Sequence, residues 1–266
     1  MNRSVAVEIA VQDVAGARGA LAAGARRLEL CQALAVGGLT PSVGLLEAVL
    51  AAVDPSTVNV LVRPRGGGFV YTEEEIALVA ADIRACVSRG AGGVVVGALT
   101  PDGRADLQAL ARWRDAAGDA TLVFHRAIDA VGAPLAVLED LRGAGVDRVL
   151  TSGGAERSVD GAAVLASLVA ASGGIEIMAG GGVQPGDIGA LVAAGVDAVH
   201  LSARTRGGTG APSGPGGGAE GHDITDLEIV AAAVRAVAAA ASDASGASGA
   251  DLGASDANGV PGTLKP

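Results

Sequence analysis

Apolar and polar positions along the chain alternate between two periods. Nearly continuous apolar runs recur at 5–11, 27–31, 58–63, 93–97, 121–125, 148–151, 175–178 and 198–202. Between them lie Ala- and Leu-rich stretches whose apolar residues repeat at helical spacing. A strand that is apolar on both faces belongs in a parallel sheet covered on both sides. The intervening segments open with helix-start chemistry. Thr40-Pro41 offers a hydroxyl cap and a first-turn proline, and Pro134 and Pro185 stand where helices should begin. Thr72-Glu73-Glu74-Glu75 and Thr225-Asp226-Leu227-Glu228 both match a capping box. Eight strands alternating with helices predict a parallel α/β architecture.

An internal repeat selects among the parallel folds. Ala23-Gly24-Ala25, Ala144-Gly145-Val146 and Ala194-Gly195-Val196 precede the second, sixth and eighth strands, and Gly90-Ala91-Gly92 is a looser copy before the fourth. Each reads as a helix ending on a left-handed glycine, followed by a tight return into a strand. Recurrence on every second strand fits a barrel built from paired βα modules. The first strand runs into Gln12-Asp13-Val14, without the glycine loop a dinucleotide-binding sheet requires. The expectation is one TIM (β/α)8 barrel over residues 1–241. Within it, 206–222 reads as a Gly/Pro-rich loop and 224–241 as the closing helix; 242–266 reads as a disordered low-complexity tail.

Composition narrows the partners. The net charge is −10 and the chain holds one Trp, one Tyr and two Phe. It therefore lacks both the basic stripe and the stacking platform of a nucleic-acid binder. No run of apolar residues is long enough for a membrane span; the nearest, at 229–241, is interrupted by Arg235. The N-terminal residues show no signal-peptide apolar region, and Cys31 and Cys86 form no CxxC pair. A cytoplasmic protein is expected, with homo-oligomerisation left open.

Chemistry in a barrel gathers where the strands end. Those ends carry Glu8, then Glu29 with Cys31, then Arg63 and Arg65. Thr100 and Asp102 follow the fourth strand, and His125, Arg126 and Asp129 the fifth. Thr151-Ser152-Gly153-Gly154, Gly180-Gly181-Gly182 and His200 with Ser202 complete the set. Glu8 and Glu29 in buried strands need partners, and Arg63 or Arg126 could supply them. Each glutamate is either one half of a buried ion pair or a general base or metal ligand. His125 and Asp129 join them as candidate catalytic residues. Arg63, Arg65, Arg126, Ser152 and the Gly180–Gly182 loop are candidates for holding a small anion. Cys31 could ligate a soft metal as thiolate if Met178 or a histidine joined it.

Seven segments, taken in order, resemble the copper homeostasis protein CutC family. They are Leu28-Glu29-Leu30-Cys31, Gly37-Gly38-Leu39-Thr40-Pro41-Ser42, Arg63-Pro64-Arg65-Gly66-Gly67 and Leu99-Thr100-Pro101-Asp102-Gly103. Phe124-His125-Arg126-Ala127, Val149-Leu150-Thr151-Ser152-Gly153-Gly154 and Met178-Ala179-Gly180-Gly181-Gly182-Val183 follow. The resemblance spans residues 5–204. It implies a TIM barrel, a cytoplasmic location and a role in copper homeostasis with copper as the bound ion. The chain departs from the family where copper would matter: Ala10 and Val70 stand where members often carry cysteine, and Gly68 replaces a frequent aspartate. Two functions are thus in view, a copper-binding protein centred on Cys31 and a barrel enzyme acting on a small phosphate- or carboxylate-bearing substrate.

Overall fold

A computed structural model describes residues 5–208 and 221–249. Eight parallel strands close in sequence order into a barrel: β1 (Ala6–Val11), β2 (Arg27–Leu30), β3 (Val58–Leu61), β4 (Gly93–Val96), β5 (Thr121–Phe124), β6 (Arg148–Thr151), β7 (Glu176–Gly180) and β8 (Ala198–Leu201). Helices α1 (Val14–Ala22), α2 (Val43–Leu50), α3 (Glu73–Val87), α4 (Leu107–Ala117), α5 (Pro134–Gly143), α6 (Ala162–Ala170) and α7 (Ile188–Ala193) connect them. Helix α8 (Leu227–Gly249) follows the last strand. This is the TIM barrel that the alternation predicts.

Two apolar cores result, separated by the sheet. Outward side chains such as Ile9, Leu28, Val94, Phe124 and Ile177 pack on the helices, where Ile83, Leu110, Trp113, Leu141 and Leu165 are fully buried. Trp113 donates its indole N–H to the carbonyl of Ile76, tying α4 to α3. Inward residues Ala6, Ala10, Cys31, Leu61, Val95, Val123, Leu150, Met178 and Ala198 form the smaller interior cluster.

The repeat glycines do what their recurrence predicts. Gly24, Gly90, Gly145 and Gly195 all have positive φ, between 73° and 101°, where a Cβ would be strained. Three residues later comes Arg27, Gly93, Arg148 or Ala198, and five residues later Glu29, Val95, Leu150 or His200. Each return thus delivers an inward side chain at a fixed offset.

Several local expectations need correction. Helix α2 is capped by Ser42, whose hydroxyl accepts from Leu45 N–H; Thr40 instead exchanges hydrogen bonds with the backbone of Arg63. The Thr72 capping box forms as expected. The segment 206–222 is not simply a loop. Its ends pair as an antiparallel ribbon of β9 (Arg204–Gly207) and β10 (His222–Thr225), held by Arg204 and Arg206 against Asp223. Thr225 belongs to that ribbon, so Asp226 caps α8 by accepting from the N–H groups of Glu228 and Ile229. The closing helix runs on to Gly249, through residues read as tail, because alanine propagates helix readily. The rest of the expected loop and tail, 209–220 and 250–266, lies outside the described residues. No helix among the described residues is long and apolar enough to cross a membrane.

Candidate functional site

A cleft of about 210 Å³ opens at the C-terminal ends of the strands. Glu29, Arg63, His125, Arg126, Gly181, Gly182 and His200 reach it, between apolar walls that include Leu34, Leu61, Phe69 and Leu150. At roughly 30 Å³ per water, the volume corresponds to about seven waters.

Below the cleft lies a buried ionic network. The Glu8 carboxylate is fully buried and accepts from Asn59 Nδ2 at 3.0 Å. Arg27 Nε stands 3.3 Å and Arg148 Nη1 3.8 Å from the same oxygen, Glu8 Oε2. Both arginines also reach Glu176, and His200 Nδ1 lies 3.0 Å from Glu8 Oε1. Burial alone would raise the Glu8 carboxyl. The His200 hydrogen bond and the charges of His200, Arg27 and Arg148 instead hold it at about 2. The partners of Glu8 are therefore Arg27 and Arg148, not the expected Arg63 or Arg126. Neighbouring register explains the difference, because Glu8 lies directly across from Arg27 on one side and His200 on the other.

Glu29 is the exception to this pairing. It is 6% exposed and makes no hydrogen bond or ion pair among the described residues. Burial pushes its carboxyl up, a push that the His200 charge opposes and the Glu8 charge reinforces. One ligand-type atom each from Glu8, Glu29 and His200 falls within 4.8 Å of the others. Burial disfavours the charged form of His200, yet Glu29 and Glu8 outweigh it and raise its pKa.

The expected anion-binding residues separate into two groups. Arg126, Gly181 and Gly182 share the cleft. Arg126 donates Nε–H to Asp129 and Nη2–H to the Ser152 hydroxyl, leaving Nη1 without a hydrogen bond among the described residues. Its guanidinium lies against Gly181, where a Cβ would come within 2.8 Å of Cζ. Arg63 also borders the cleft, but its donors go to the carbonyls of Val36, Gly38 and Gly67. It clamps two loops instead of presenting itself to an anion. Arg65 points away, pairing with Glu75 and the carbonyls of Gly68 and Val70. Gly180 ends β7 beneath the cleft, and Ser152 is buried against Asp129.

Asp129 does not stand free for acid–base work. It accepts from Thr151 Oγ1, the N–H and hydroxyl of Ser152, Gly154 N–H and Arg126 Nε. Its role is to shape the loop after β6 and aim Arg126. His125 is likewise not a base near neutral pH. Burial first, then the nearby Arg63 charge, depress its pKa to about 3. Sequence reasoning left out Arg27, Asn59, Arg148 and Glu176, and gave His200 no role in the site. The fixed offset after the repeat glycines was the available signal, since it places Glu29 and His200 at equivalent inward positions.

The donors present do not suit Cu(I). Cys31 is fully buried, and burial together with the Glu29 charge pushes its thiol well above the ordinary range. Its Sγ faces the Val11 carbonyl at 3.8 Å. Met178 Sδ is engaged 3.8 Å from the Arg27 guanidinium. The one cluster with metal-ligand spacing among the described residues offers carboxylate and imidazole, which are harder ligands than Cu(I) selects.

Residues 5–205 match the model of the CutC family. A CutC family protein of Xylella fastidiosa strain Temecula1 is 44% identical over 207 residues, covering 77% of each chain. One from Klebsiella pneumoniae strain 342 is 41% identical over 197 residues, covering 74% of this chain and 79% of its own. The solved structure of a copper homeostasis protein CutC from Streptococcus agalactiae superposes with a TM-score of 0.68 at 30% identity, over 74% of this chain and 98% of that one. A thiamine phosphate pyrophosphorylase from Pyrococcus furiosus, at 14% identity and a TM-score of 0.56, shares the fold alone over 90% of this chain and 98% of its own. The chain belongs to the CutC family.

Proposed function

We propose that the cleft is an acid–base site for a small anionic ligand, with Glu29 as the group that exchanges a proton with it. The isolation of Glu29 carries this reading. Val95 and Leu150 occupy the same offset on β4 and β6 and serve the interior core. On β2 the position holds a carboxyl that is buried, unpaired and raised in pKa, which costs stability and suits proton transfer. His200 is its partner. Its Nδ1 is fixed on Glu8, which orients the ring and favours the imidazolium, and its charge eases proton loss from Glu29. Arg126 Nη1 and the backbone of Gly181 and Gly182 supply the anion-holding end. The buried free thiols Cys31 and Cys86 suit a reducing compartment, and we place the protein in the cytosol.

The copper homeostasis name borne by the Streptococcus agalactiae relative carries to this chain as kinship, while the cleft's donors favour an organic or phosphate anion over Cu(I). Calorimetric titration with 2-phosphoglycolate tests the reading. Anion binding beside Glu29 should raise its pKa further, so binding should take up a proton and its heat should depend on the buffer. Glu29→Gln should abolish that buffer dependence. Arg126→Ala should weaken binding about tenfold or more, as loss of a charge-assisted hydrogen bond requires. Unchanged affinity in Arg126→Ala, or no proton uptake by the wild type, would overturn the proposal. In a parallel competition with a Cu(I) chelator, Cys31→Ser should match the wild type.

A further inference from the structure

The role of His125 can be taken further, on the basis of the acid–base reading of the cleft. Its ring is held on several sides. Nδ1 accepts the Ala127 N–H at 3.1 Å, capping the short 3-10 turn that follows β5. The Phe69 ring packs against it with centroids 4.9 Å apart, and Arg63 lies over Phe69 at 5.2 Å. Gly97 leaves the space the ring fills: a Cβ there would come within 2.4 Å of Cε1 and Nδ1. No other residue type fits without moving the imidazole.

The Ala127 hydrogen bond fixes the tautomer. A backbone N–H pointing at Nδ1 requires a lone pair on that nitrogen, so the ring proton resides on Nε2. Protonating Nδ1 would set two N–H groups face to face. Burial and the Arg63 charge disfavour the cation and outweigh the ring's own backbone hydrogen bond and the Asp129 charge, which favour it. Nε2 makes no hydrogen bond among the described residues, and His125 borders the cleft.

We infer that His125 is a fixed-tautomer donor whose Nε2–H holds an oxygen of the anionic ligand, and that it neither gives up nor gains a proton. The donors facing the cleft then comprise Arg126 Nη1, His125 Nε2 and, while it is protonated, the Glu29 carboxyl. A cleft so furnished selects acceptor-rich ligands. Its class is a short molecule bearing oxygens at both ends, such as a phosphorylated carboxylate.

Two substitutions divide the ring's two jobs. Asparagine places an acceptor where Nδ1 stands and keeps the Ala127 cap while removing the cleft donor. Glutamine places an amide N–H near Nε2 and loses the cap. His125→Asn should therefore lower Tm less than His125→Gln does, since it loses ring packing but keeps the cap, and should weaken 2-phosphoglycolate binding about tenfold, the loss a hydrogen bond to a charged group carries. His125→Gln should lower Tm and keep affinity within about threefold. A purely structural histidine gives another pattern, with asparagine lowering Tm but leaving 2-phosphoglycolate affinity unchanged. Long-range ¹H–¹⁵N spectra of the full chain should show neutral Nε2–H from about pH 5 to about pH 8. The Nε2 resonance should shift when 2-phosphoglycolate saturates the protein.

An Nδ1–H tautomer, or an imidazolium forming in that range, overturns the inference whatever binds. Wild-type affinity in His125→Asn overturns it while leaving the acid–base cleft intact. Failure of the wild type to bind 2-phosphoglycolate removes the anion reading itself, and with it the oxygen assigned to His125.

Discussion

Glu8→Gln removes one negative charge from the middle of the barrel while nearly preserving shape. The carboxylate it replaces is fully buried and faces Asn59, Arg27, Arg148 and His200 at 3.0 to 3.8 Å. Holding that carboxyl at about 2 instead of 4.5 corresponds to about 3 kcal/mol of folding free energy, at 1.36 kcal/mol per pH unit. Breaking a buried pair from one side costs about 3 to 5 kcal/mol, because the opposite charges stay behind. The two figures agree on a large loss near neutral pH. The pH dependence is more specific. A depressed carboxylate contributes its stability above the unfolded value and loses it as pH falls toward the folded value. By linkage, about 2 kcal/mol of the Glu8 contribution should be gone at about pH 3. Urea unfolding of both proteins at about pH 7 and pH 3 measures this directly. The gap between wild type and Glu8→Gln should be about 3 kcal/mol at the higher pH and should narrow by about 2 at the lower. Parallel curves, with the same gap at both pH values, would refute the assignment of Glu8 as the ionised centre of the network.

Glu29→Gln should have the opposite sign. A carboxyl whose folded pKa is raised penalises the native state once pH passes 4.5, so the variant should gain stability over wild type from about pH 5 to pH 8. Each pH unit between the folded and unfolded values adds about 1.4 kcal/mol, readable by the same urea titrations. Asp129→Ala should destabilise by about 2 to 3 kcal/mol, since it strands the buried N–H of Ser152 and the Thr151 hydroxyl. It should also weaken 2-phosphoglycolate binding by releasing Arg126; unaltered calorimetric affinity would detach Asp129 from the anion end. Arg63→Lys keeps the charge but lacks the planar fork that spans the Val36, Gly38 and Gly67 carbonyls. It should cost about 2 kcal/mol and speed amide exchange in residues 34–38 and 66–69.

Apolar periodicity and the repeat glycines made the barrel legible, because each feature acts locally. A left-handed glycine ends a helix and launches a strand without needing to know what lies across the barrel. The ribbon of β9 and β10 was not legible. Arg204-Thr205-Arg206-Gly207 shows no apolar alternation, and its pairing depends on Asp223, which returns from beyond the segment 208–221. The site was legible in residue type and not in partnership. Glu8 and Glu29 read as buried acids needing counter-charges, but the counter-charge of Glu8 is set by strand register and barrel shear, which composition does not encode. Arg27 and Arg148 look like ordinary strand-opening residues, and only closure of the sheet turns both toward Glu8. The motif Arg63-Pro64-Arg65 was misleading for a related reason. A guanidinium fork suits a ligand anion and a set of loop carbonyls equally well.

Closure also explains why acid–base groups and anion-holding groups fall on different parts of the rim. His200, Glu8 and Glu29 come from β8, β1 and β2, three consecutive strands of the barrel. The return glycines give β2 and β8 the same inward offset, and Glu8 from the strand between them reaches His200. Arg126 and His125 belong to the end of β5, and in an eight-stranded ring β5 stands opposite β1. Gly181 follows β7, and its lack of a side chain lets the Arg126 guanidinium lie against its backbone. A ligand that engages both sides must therefore bridge the ring across a cleft of about 210 Å³. A lone metal ion would use only the β8–β1–β2 wall. The rim geometry thus favours a short two-ended anion on physical grounds that do not depend on knowing its reaction.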